Sequence, residues 1–213
     1  MFRRILATFA ASMLLCGGTS FAQTPSAAPK QAAPAAPATA APKPTKNAAK
    51  PAEPVKPPAA MSGGAEPTLI GQFGTWGAYS ATPNGKLVCF ALAKPSSSKT
   101  NPPNRPRDTA YAFVSTRPAE KVVNEVSVMI GYQLKPGSES SIDVGGGSYA
   151  MYTQGDGLWI KNAAEEDAMV QAMRRAPDIT VKGVSAKGTE TIDTFSLKGL
   201  AQALDKIAQD CRR

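Results

Sequence analysis

VVNEVSVMIGY, residues 122–132, contains the clearest strand pattern in this chain of 213 residues. Val126, Val128 and Ile130 alternate there with more polar neighbours such as Ser127. Side chains of a β-strand point alternately to its two faces, so this spacing predicts a strand with one apolar face turned toward a core. Such a strand needs neighbouring strands to satisfy its backbone hydrogen bonds.

Similar short runs lie on both sides of this stretch and are separated by glycine, proline and asparagine. The predicted strands are residues 73–79, 87–92, 111–115, 142–144, 149–153, 158–160, 179–184 and 191–195. Residues 83–85, 145–147 and 155–157 are predicted turns, and residues 95–108 a proline-rich loop. Many short strands joined by such turns predict a mainly β fold, either a sandwich or a barrel.

Two predicted helices interrupt the strands. The first, residues 163–175, follows a capping Asn162 and has acidic residues at 165–167, where the helix dipole favours negative charge. The second follows a capping Ser196 near the carboxyl terminus. Its apolar residues are spaced to form one buried stripe; they are Leu197, Leu200, Leu204 and Ile207.

The amino-terminal residues 1–22 have the pattern of a cleavable signal peptide. Two arginines at residues 3–4 precede an apolar run at residues 5–15, and the small residues Ser20 and Ala22 stand just before the expected cleavage point. The apolar run is shorter than the roughly 20 residues that a membrane-spanning helix needs. We therefore expect a secreted protein that is periplasmic or associated with the outer membrane.

Residues 23–65 predict a disordered tether. Alanine and proline make up more than half of this stretch, and aromatic residues are absent from it. It also carries much of the formal net charge of +8, whereas residues 66–213 are nearly neutral, with 17 basic and 15 acidic residues. A nucleic-acid-binding domain carries its basic surface on the folded part, so no nucleic-acid partner is expected. The tether lysines are expected to contact anionic lipid or cell-wall polymer only weakly.

The cysteines predict one disulfide. Cys16 lies in the predicted signal peptide, which leaves Cys89 and Cys211 in an exported and therefore oxidising setting. The alternatives are a reactive thiol or a metal ligand. A reactive thiol usually needs a cationic partner such as histidine, and the chain contains no histidine.

The sequence contains no recognisable catalytic or cofactor-binding motif. Without histidine there is no Ser-His-Asp triad and no imidazole metal ligand. The glycines at 145–147 lack the lysine and spacing of a phosphate-binding loop. We expect no catalytic residue, no cofactor and no metal. The alternative is a hydrolase acting on envelope glycans or lipids through two carboxylates that the sequence does not single out.

One segment is a candidate contact loop. Within residues 102–108 the stiff proline backbone carries Asn104, Arg105, Arg107 and Asp108. A rigid loop loses little conformational entropy when it binds a partner, which favours a contact role. The structural alternative is a connection between strands in which Arg107 or Asp108 interacts with neighbouring elements.

Several motifs together resemble the invasion associated locus B (IalB) family of exported proteins. These motifs are FGTW at 73–76, GKLVC at 85–89, VSVMIG at 126–131, Tyr152 with Trp159, and FSLKGL at 195–200. The resemblance implies an immunoglobulin-like β-sandwich over residues 66–213, with one inserted helix and a carboxyl-terminal helix. Many members have a cysteine soon after the opening tryptophan; residues 77–80 here have none, which leaves Cys211 as the partner of Cys89.

The resemblance also implies a location in the cell envelope and, in pathogenic relatives, a role in host-cell invasion. It supplies no catalytic residue for this chain. The prediction is therefore a non-enzymatic binding or structural module with a partner on the envelope or on a host surface.

Overall fold

Eleven antiparallel strands form one continuous sheet in the computed structural model, which describes residues 65–212. The predicted signal peptide and all but the last residue of the predicted tether lie outside the described residues. The strands are β1 Thr68–Phe73, β2 Trp76–Ala81, β3 Val88–Ala93, β4 Ser97–Asn101, β5 Tyr111–Arg117, β6 Val122–Met129, β7 Ser140–Val144, β8 Gly147–Gln154, β9 Gly157–Ile160, β10 Asp178–Val184 and β11 Glu190–Ser196.

The strand order in the sheet is β1-β2-β3-β5-β6-β9-β8-β7-β10-β11-β4. Inward-facing side chains from both halves of the sheet join one main core, as expected when a sheet bends over itself. The architecture confirms the predicted mainly β class, with one inserted helix and a carboxyl-terminal helix, and is consistent with a β-sandwich.

Strand β6 confirms the alternation at the centre of the sequence pattern. Val126 and Val128 on β6, and Ile130 directly after it, are fully buried in the main core, and Ser127 and Met129 face the other side of the sheet. The predicted strand 122–132 is shorter in the structure, since β6 ends at Met129. Full burial of a valine or isoleucine side chain stabilises a fold by about 1.5–3 kcal/mol. These three side chains hold β6 in register, because a slip by one residue would turn them to the outer face.

Helix α1, Glu166–Met173, follows a short 3₁₀ turn at Ala163–Glu165, and helix α2 is Leu200–Asp210. The side chain of Asn162 accepts a hydrogen bond from the backbone nitrogen of Ala164 at 3.2 Å, as expected for a cap. The predicted apolar stripe of the second helix is buried against the sheet. Its members are Leu197, Leu200, Leu204 and Ile207.

The predicted disulfide joins Cys89 on β3 to Cys211 at the end of α2, with their Cα atoms 6.0 Å apart. The two cysteines are separated by 122 residues, and the bond ties the carboxyl-terminal helix to β3, the third strand from the β1 edge of the sheet. Helix α2 packs across β2 and β3 at this point. The disulfide prediction is confirmed.

Three further predicted boundaries are wrong. Residues 73–79 are not one strand, because the chain turns at Gly74 (φ +56°) between β1 and β2. Residues 95–108 are not all loop, because they include β4, which pairs with β11. Ser196 does not cap α2; it ends β11, and the helix begins after Gly199.

The late start of α2 has a steric cause. Gly199 has φ +97°, and a Cβ atom there would lie 1.9 Å from the carbonyl oxygen of Phe73. Only glycine combines this backbone conformation with so close an approach. The turn between β1 and β2 packs against the same segment, since the backbone nitrogen of Thr75 donates to the carbonyl of Lys198 at 3.1 Å. The two turns therefore hold each other in place.

Candidate functional site

The predicted contact loop connects two distant parts of the sheet. It leaves β4, the edge strand beside β11, and enters β5, the fourth strand from the opposite edge of the sheet. Asn104 adopts a left-handed conformation with φ +59°, which asparagine tolerates better than most residues. The backbone nitrogen of the next residue, Arg105, donates to the hydroxyl of Thr100 at 3.3 Å. Asn104 and Arg105 are both exposed at the tip of the loop.

Arg107 anchors the loop to the interior. Its guanidinium makes a two-pronged ion pair with the carboxylate of Asp193 on β11; Nη1 donates to Oδ2 at 2.7 Å, and Nη2 donates to Oδ1. Nη1 also donates to the carbonyl of Ile130 at 2.7 Å. The Asp193 side chain is fully buried and the Arg107 side chain is 10% exposed. Paired donors that match a carboxylate in this way are the strong form of a charged hydrogen bond.

A second set of contacts surrounds this ion pair. The hydroxyl of Tyr132 shares a hydrogen bond with the hydroxyl of Thr191, and burial raises the pKa of Tyr132 above its ordinary value. The backbone nitrogen of Asp108 donates to the carbonyl of Gly131 at 3.0 Å. Gly131 has φ +83°, and a Cβ there would lie 2.1 Å from the Asp108 carbonyl oxygen. The carboxyl end of the loop is therefore fixed by backbone as well as by side chains.

The structure thus separates the four predicted contact residues. Asn104 and Arg105 are exposed at the tip, and the side chain of Asp108 is also exposed. Arg107 is turned inward and serves the fold, which is the structural alternative considered for this loop. A contact role for Asn104, Arg105 and Asp108 stays a prediction.

A groove of about 350 Å³ lies next to the loop on β4, β10 and β11. Ile192 is 42% exposed in its lining, and the amide of Asn101 donates to the Glu190 carboxylate at 3.1 Å. Lys99 and Lys182 add positive charge to the same lining. The sequence gives no signal for this groove, because the edge strand β4 has no apolar alternation. An amphipathic groove with charges of both signs can hold a polar chain segment or headgroup beside the loop tip.

The carboxylate with the clearest raised pKa supports the sheet. Oε1 of Glu166, in the first turn of α1, accepts a hydrogen bond from the backbone nitrogen of Val126 at 2.8 Å. The pairing of β6 with β9 begins one residue later, at Ser127, so this carboxylate satisfies a donor that the ladder leaves unpaired. Burial raises the pKa of Glu166 above its ordinary value. The position of Glu166 therefore has a structural reason in addition to the helix dipole.

Other carboxylates have basic partners. Arg117 donates to Glu120 at 2.6 Å and to Glu125 at 2.9 Å, and it lowers the pKa of Glu120. Lys182 donates to Asp143 at 2.6 Å and lowers the pKa of that carboxyl. Among residues 65–212, no three His, Cys, Asp or Glu side chains are grouped so as to hold a metal ion.

The family model for the invasion associated locus B (IalB) protein matches residues 76–208, more than half of the chain. The chain belongs to the IalB family. IalB membership indicates an invasion-associated envelope protein. Comparison with curated proteins and with solved structures finds no match. Within residues 65–212 of this IalB-family chain, neither helix has the length and hydropathy of a bilayer-spanning segment.

Proposed function

We propose that this IalB-family protein is a non-enzymatic binding module of the cell envelope that presents the loop tip at residues 104–105 to a partner. The observation that carries the proposal is the buried ion pair between Arg107 and Asp193. It fixes a loop whose neighbouring residues, Asn104 and Arg105, remain exposed. The partner lies on the envelope or on a host-cell surface.

Pre-organisation is the physical advantage of this arrangement. Ordering a flexible loop on binding costs backbone conformational entropy, in addition to about 0.5–1.5 kcal/mol for each side chain that is immobilised. The anchored backbone avoids part of that cost, because the folded protein already holds the loop in one conformation. Arg105 offers the planar donors that suit carboxylate or phosphate groups, and Asn104 offers both a donor and an acceptor. An anionic surface rich in hydroxyl groups fits this pair of side chains.

The proposal also gives a role to the two stretches that precede the folded domain. A signal peptide at residues 1–22 directs export to the periplasm. The stretch at residues 23–65 then gives the folded domain reach, and its lysines contact anionic lipid or cell-wall polymer weakly. The support for this is the sequence pattern of both stretches together with the envelope association of the IalB family.

The test is a crosslinking pull-down from intact cells with two matched double variants. Asn104→Gly with Arg105→Ala removes both side chains of the tip, and glycine suits the left-handed backbone at 104. Gln171→Ala with Arg175→Ala removes similar side chains from exposed positions on and just after α1. We expect the tip variant to lose a specific crosslinked partner that the α1 variant keeps. Recovery of the same neighbours from both variants and from the unchanged protein would refute the proposal.

A second comparison distinguishes the hydrolase alternative. A binding module tolerates single substitutions of exposed carboxylates away from the contact loop, such as Glu165→Gln or Glu139→Gln, with a phenotype that stays measurable. A glycan or lipid hydrolase loses all activity when one catalytic carboxylate is changed. Complete loss of phenotype from one such substitution, with folding intact, would therefore favour the hydrolase.

A further inference from the structure

The outer face of the sheet carries an ordered row of side chains from β4 to β8. Residues that lie directly opposite each other on paired strands point to the same face, so the register of the strands fixes which side chains are neighbours. Strand neighbours of the row, such as Val181, Ile142 and Met151, are buried in the main core, so the row faces away from that core. The members of the row are Lys99 on β4, Ile192 on β11, Lys182 on β10, Ser141 on β7 and Ala150 on β8.

Two grooves lie along this row and adjoin each other. One is the groove of about 350 Å³ on β4, β10 and β11 described above. The other has a volume of about 550 Å³, and its lining includes Ser141, Ala150 and Lys161. Lys182 and Glu139 line both grooves, which therefore form one continuous cleft across the strands. We call this cleft the outer trough; the four strand spacings from β4 to β8 give it a length of about 19 Å.

The charges in and beside the outer trough balance. Asp143 belongs to this set because its carboxylate accepts a hydrogen bond from Lys182 at 2.6 Å. A polyanionic chain binds through an excess of basic groups, and the balanced lining does not provide one. The trough therefore favours a ligand without net charge. The charged side chains are Lys99, Lys161, Lys182, Glu139, Glu190 and Asp143.

Several polar groups of the trough are available to a ligand. Within residues 65–212, the side chains of Glu139, Ser141 and Lys161 make no hydrogen bond or ion pair. An ammonium group only donates hydrogen bonds, a carboxylate only accepts them, and a hydroxyl does both. A ligand rich in hydroxyl groups can satisfy all three, because each of its hydroxyls is both a donor and an acceptor.

An exposed aromatic pair borders the trough at its β8 end. Tyr152 stands two residues after Ala150 on β8 and therefore lies on the same face of the sheet. Its side chain is 45% exposed, and its ring stacks on that of Trp159 with 5.8 Å between the centroids. The contact with Trp159 orients the Tyr152 ring, so a flat apolar surface is presented to solvent. The face of a sugar ring that carries its C–H bonds packs well on such a surface.

A peptide fits the trough less well than a sugar chain does. Extended peptides bind sheets by adding a strand to a free edge through backbone hydrogen bonds. Strands β7, β8, β10 and β11 are each paired on both sides, so this part of the described sheet offers no such edge. The free edge of β4 runs along the strands, whereas the trough crosses them. A chain lying in the trough is therefore held by side chains, which suits a polyhydroxyl ligand.

We propose that the outer trough binds a neutral oligosaccharide chain. One sugar ring packs on Tyr152, and the hydroxyl groups of the following rings form hydrogen bonds with Glu139, Ser141 and Lys161. The groove between β4 and β10 takes the continuation of the chain. This site is distinct from the loop tip at residues 104–105, and the inference is independent of the role proposed for that tip.

Binding to a printed panel tests the proposal with the chain as purified from cells. The panel holds neutral hexasaccharides of glucose, galactose, mannose and N-acetylglucosamine, together with sulfated and sialylated hexasaccharides and random hexapeptides. We expect the protein to bind at least one neutral hexasaccharide, and to bind the charged glycans and the peptides more weakly. Binding to charged glycans only, to peptides only or to no member of the panel would overturn the proposal.

Variants of Tyr152 test the aromatic contact with the bound hexasaccharide in solution. Tyr152→Ala removes the ring and is expected to weaken binding about tenfold, the scale of one aromatic contact. Tyr152→Phe keeps the ring and is expected to bind as the unchanged protein does. Tryptophan fluorescence is the readout, because Trp76 is fully buried and a blue shift on binding therefore reports Trp159. Unchanged binding by Tyr152→Ala, or equal weakening by both variants, would contradict the packing of a sugar ring there.

A matched pair of double variants tests the polar lining. Glu139→Ala with Lys161→Ala removes one acceptor and one donor from the trough, and Lys86→Ala with Glu165→Ala removes the same residue types from exposed positions outside it. The trough variant is expected to bind the hexasaccharide about tenfold more weakly, because two hydrogen bonds are lost. The control is expected to bind it unchanged, with intact circular dichroism spectra for both. Equal binding by the two would overturn the proposal, and loss of binding in the loop-tip variant would also overturn it, because the ligand would then lie at the loop.

Discussion

Replacement of Arg107 by methionine tests the anchor on which the contact loop depends. Methionine keeps much of the aliphatic length and removes all three charged hydrogen bonds, two to Asp193 and one to the Ile130 carbonyl. Asp193 is fully buried, so the variant leaves an unpaired carboxylate in the interior. Breaking a buried ion pair from one side costs about 3–5 kcal/mol. Domains of this size have a total stability of about 5–15 kcal/mol, so the loss is a large part of it.

Urea unfolding followed by circular dichroism measures this loss, with Arg105→Met as the matched control. Arg105 is exposed, and substitutions at such positions usually change the free energy of unfolding by less than about 0.5 kcal/mol. The double variant Arg107→Met with Asp193→Leu is expected to recover most of the loss, since it removes both charges together. A cost for Arg107→Met as small as that for Arg105→Met would refute the reasoning, because it would show that Asp193 does not need its partner.

Three further predictions follow from the disulfide, a buried carboxyl and a glycine. Replacing Cys89 and Cys211 together by alanine is expected to lower the free energy of unfolding in urea by up to about 5 kcal/mol, because a loop of 122 residues is released in the unfolded chain. Because burial raises the pKa of Glu166 above 4.5, the folded protein binds more protons between 4.5 and the raised pKa, so this group's contribution to stability falls as pH rises through that window. Glu166→Gln is expected to remove that dependence in unfolding curves recorded across pH, and a variant with an unchanged pH profile would contradict it. Gly199→Ala is expected to lower the melting temperature far more than Gly85→Ala, since both have positive φ but only Gly199 meets neighbouring backbone; equal effects would show that the close approach is unimportant.

The strands and helices that bury one face were predictable from local pattern. Val126, Val128 and Ile130 stand at every second position because this part of the chain has one face in the core. The period of two is therefore visible in the sequence. The stripe of α2 was predictable for the same reason, with a period near 3.6. The glycine pair at Gly145 and Gly146 has positive φ at both residues, which is what a two-residue hairpin turn requires.

Strand β4 could not be found in this way. Its sequence, SSKTN, has no apolar alternation because it is an edge strand with neither face in the core. It is a strand because β11 supplies hydrogen-bonding partners from Glu190 to Thr194. A strand that forms because a neighbouring strand pairs with it shows little β pattern in its own sequence.

The ion pair that anchors the contact loop could not be predicted from the local sequence either. Arg107 and Asp193 are 86 residues apart, and no local rule pairs them. One signal was present: Asp193 stands between Thr191 and Phe195 in the buried alternation of β11, and a carboxylate in such a position needs a partner. The sequence shows the need for a partner and does not identify it.

Composition and short-range order were enough to specify the β class and the pair of cysteines, because each depends on residue type or on neighbours within a few positions. The side chains that hold the loop tip, the partner of the Glu166 carboxylate and the groove on β4, β10 and β11 depend on the order in which eleven strands are placed side by side. That order brings together residues tens of positions apart, and the contacts they make exist only once the sheet has closed around its core.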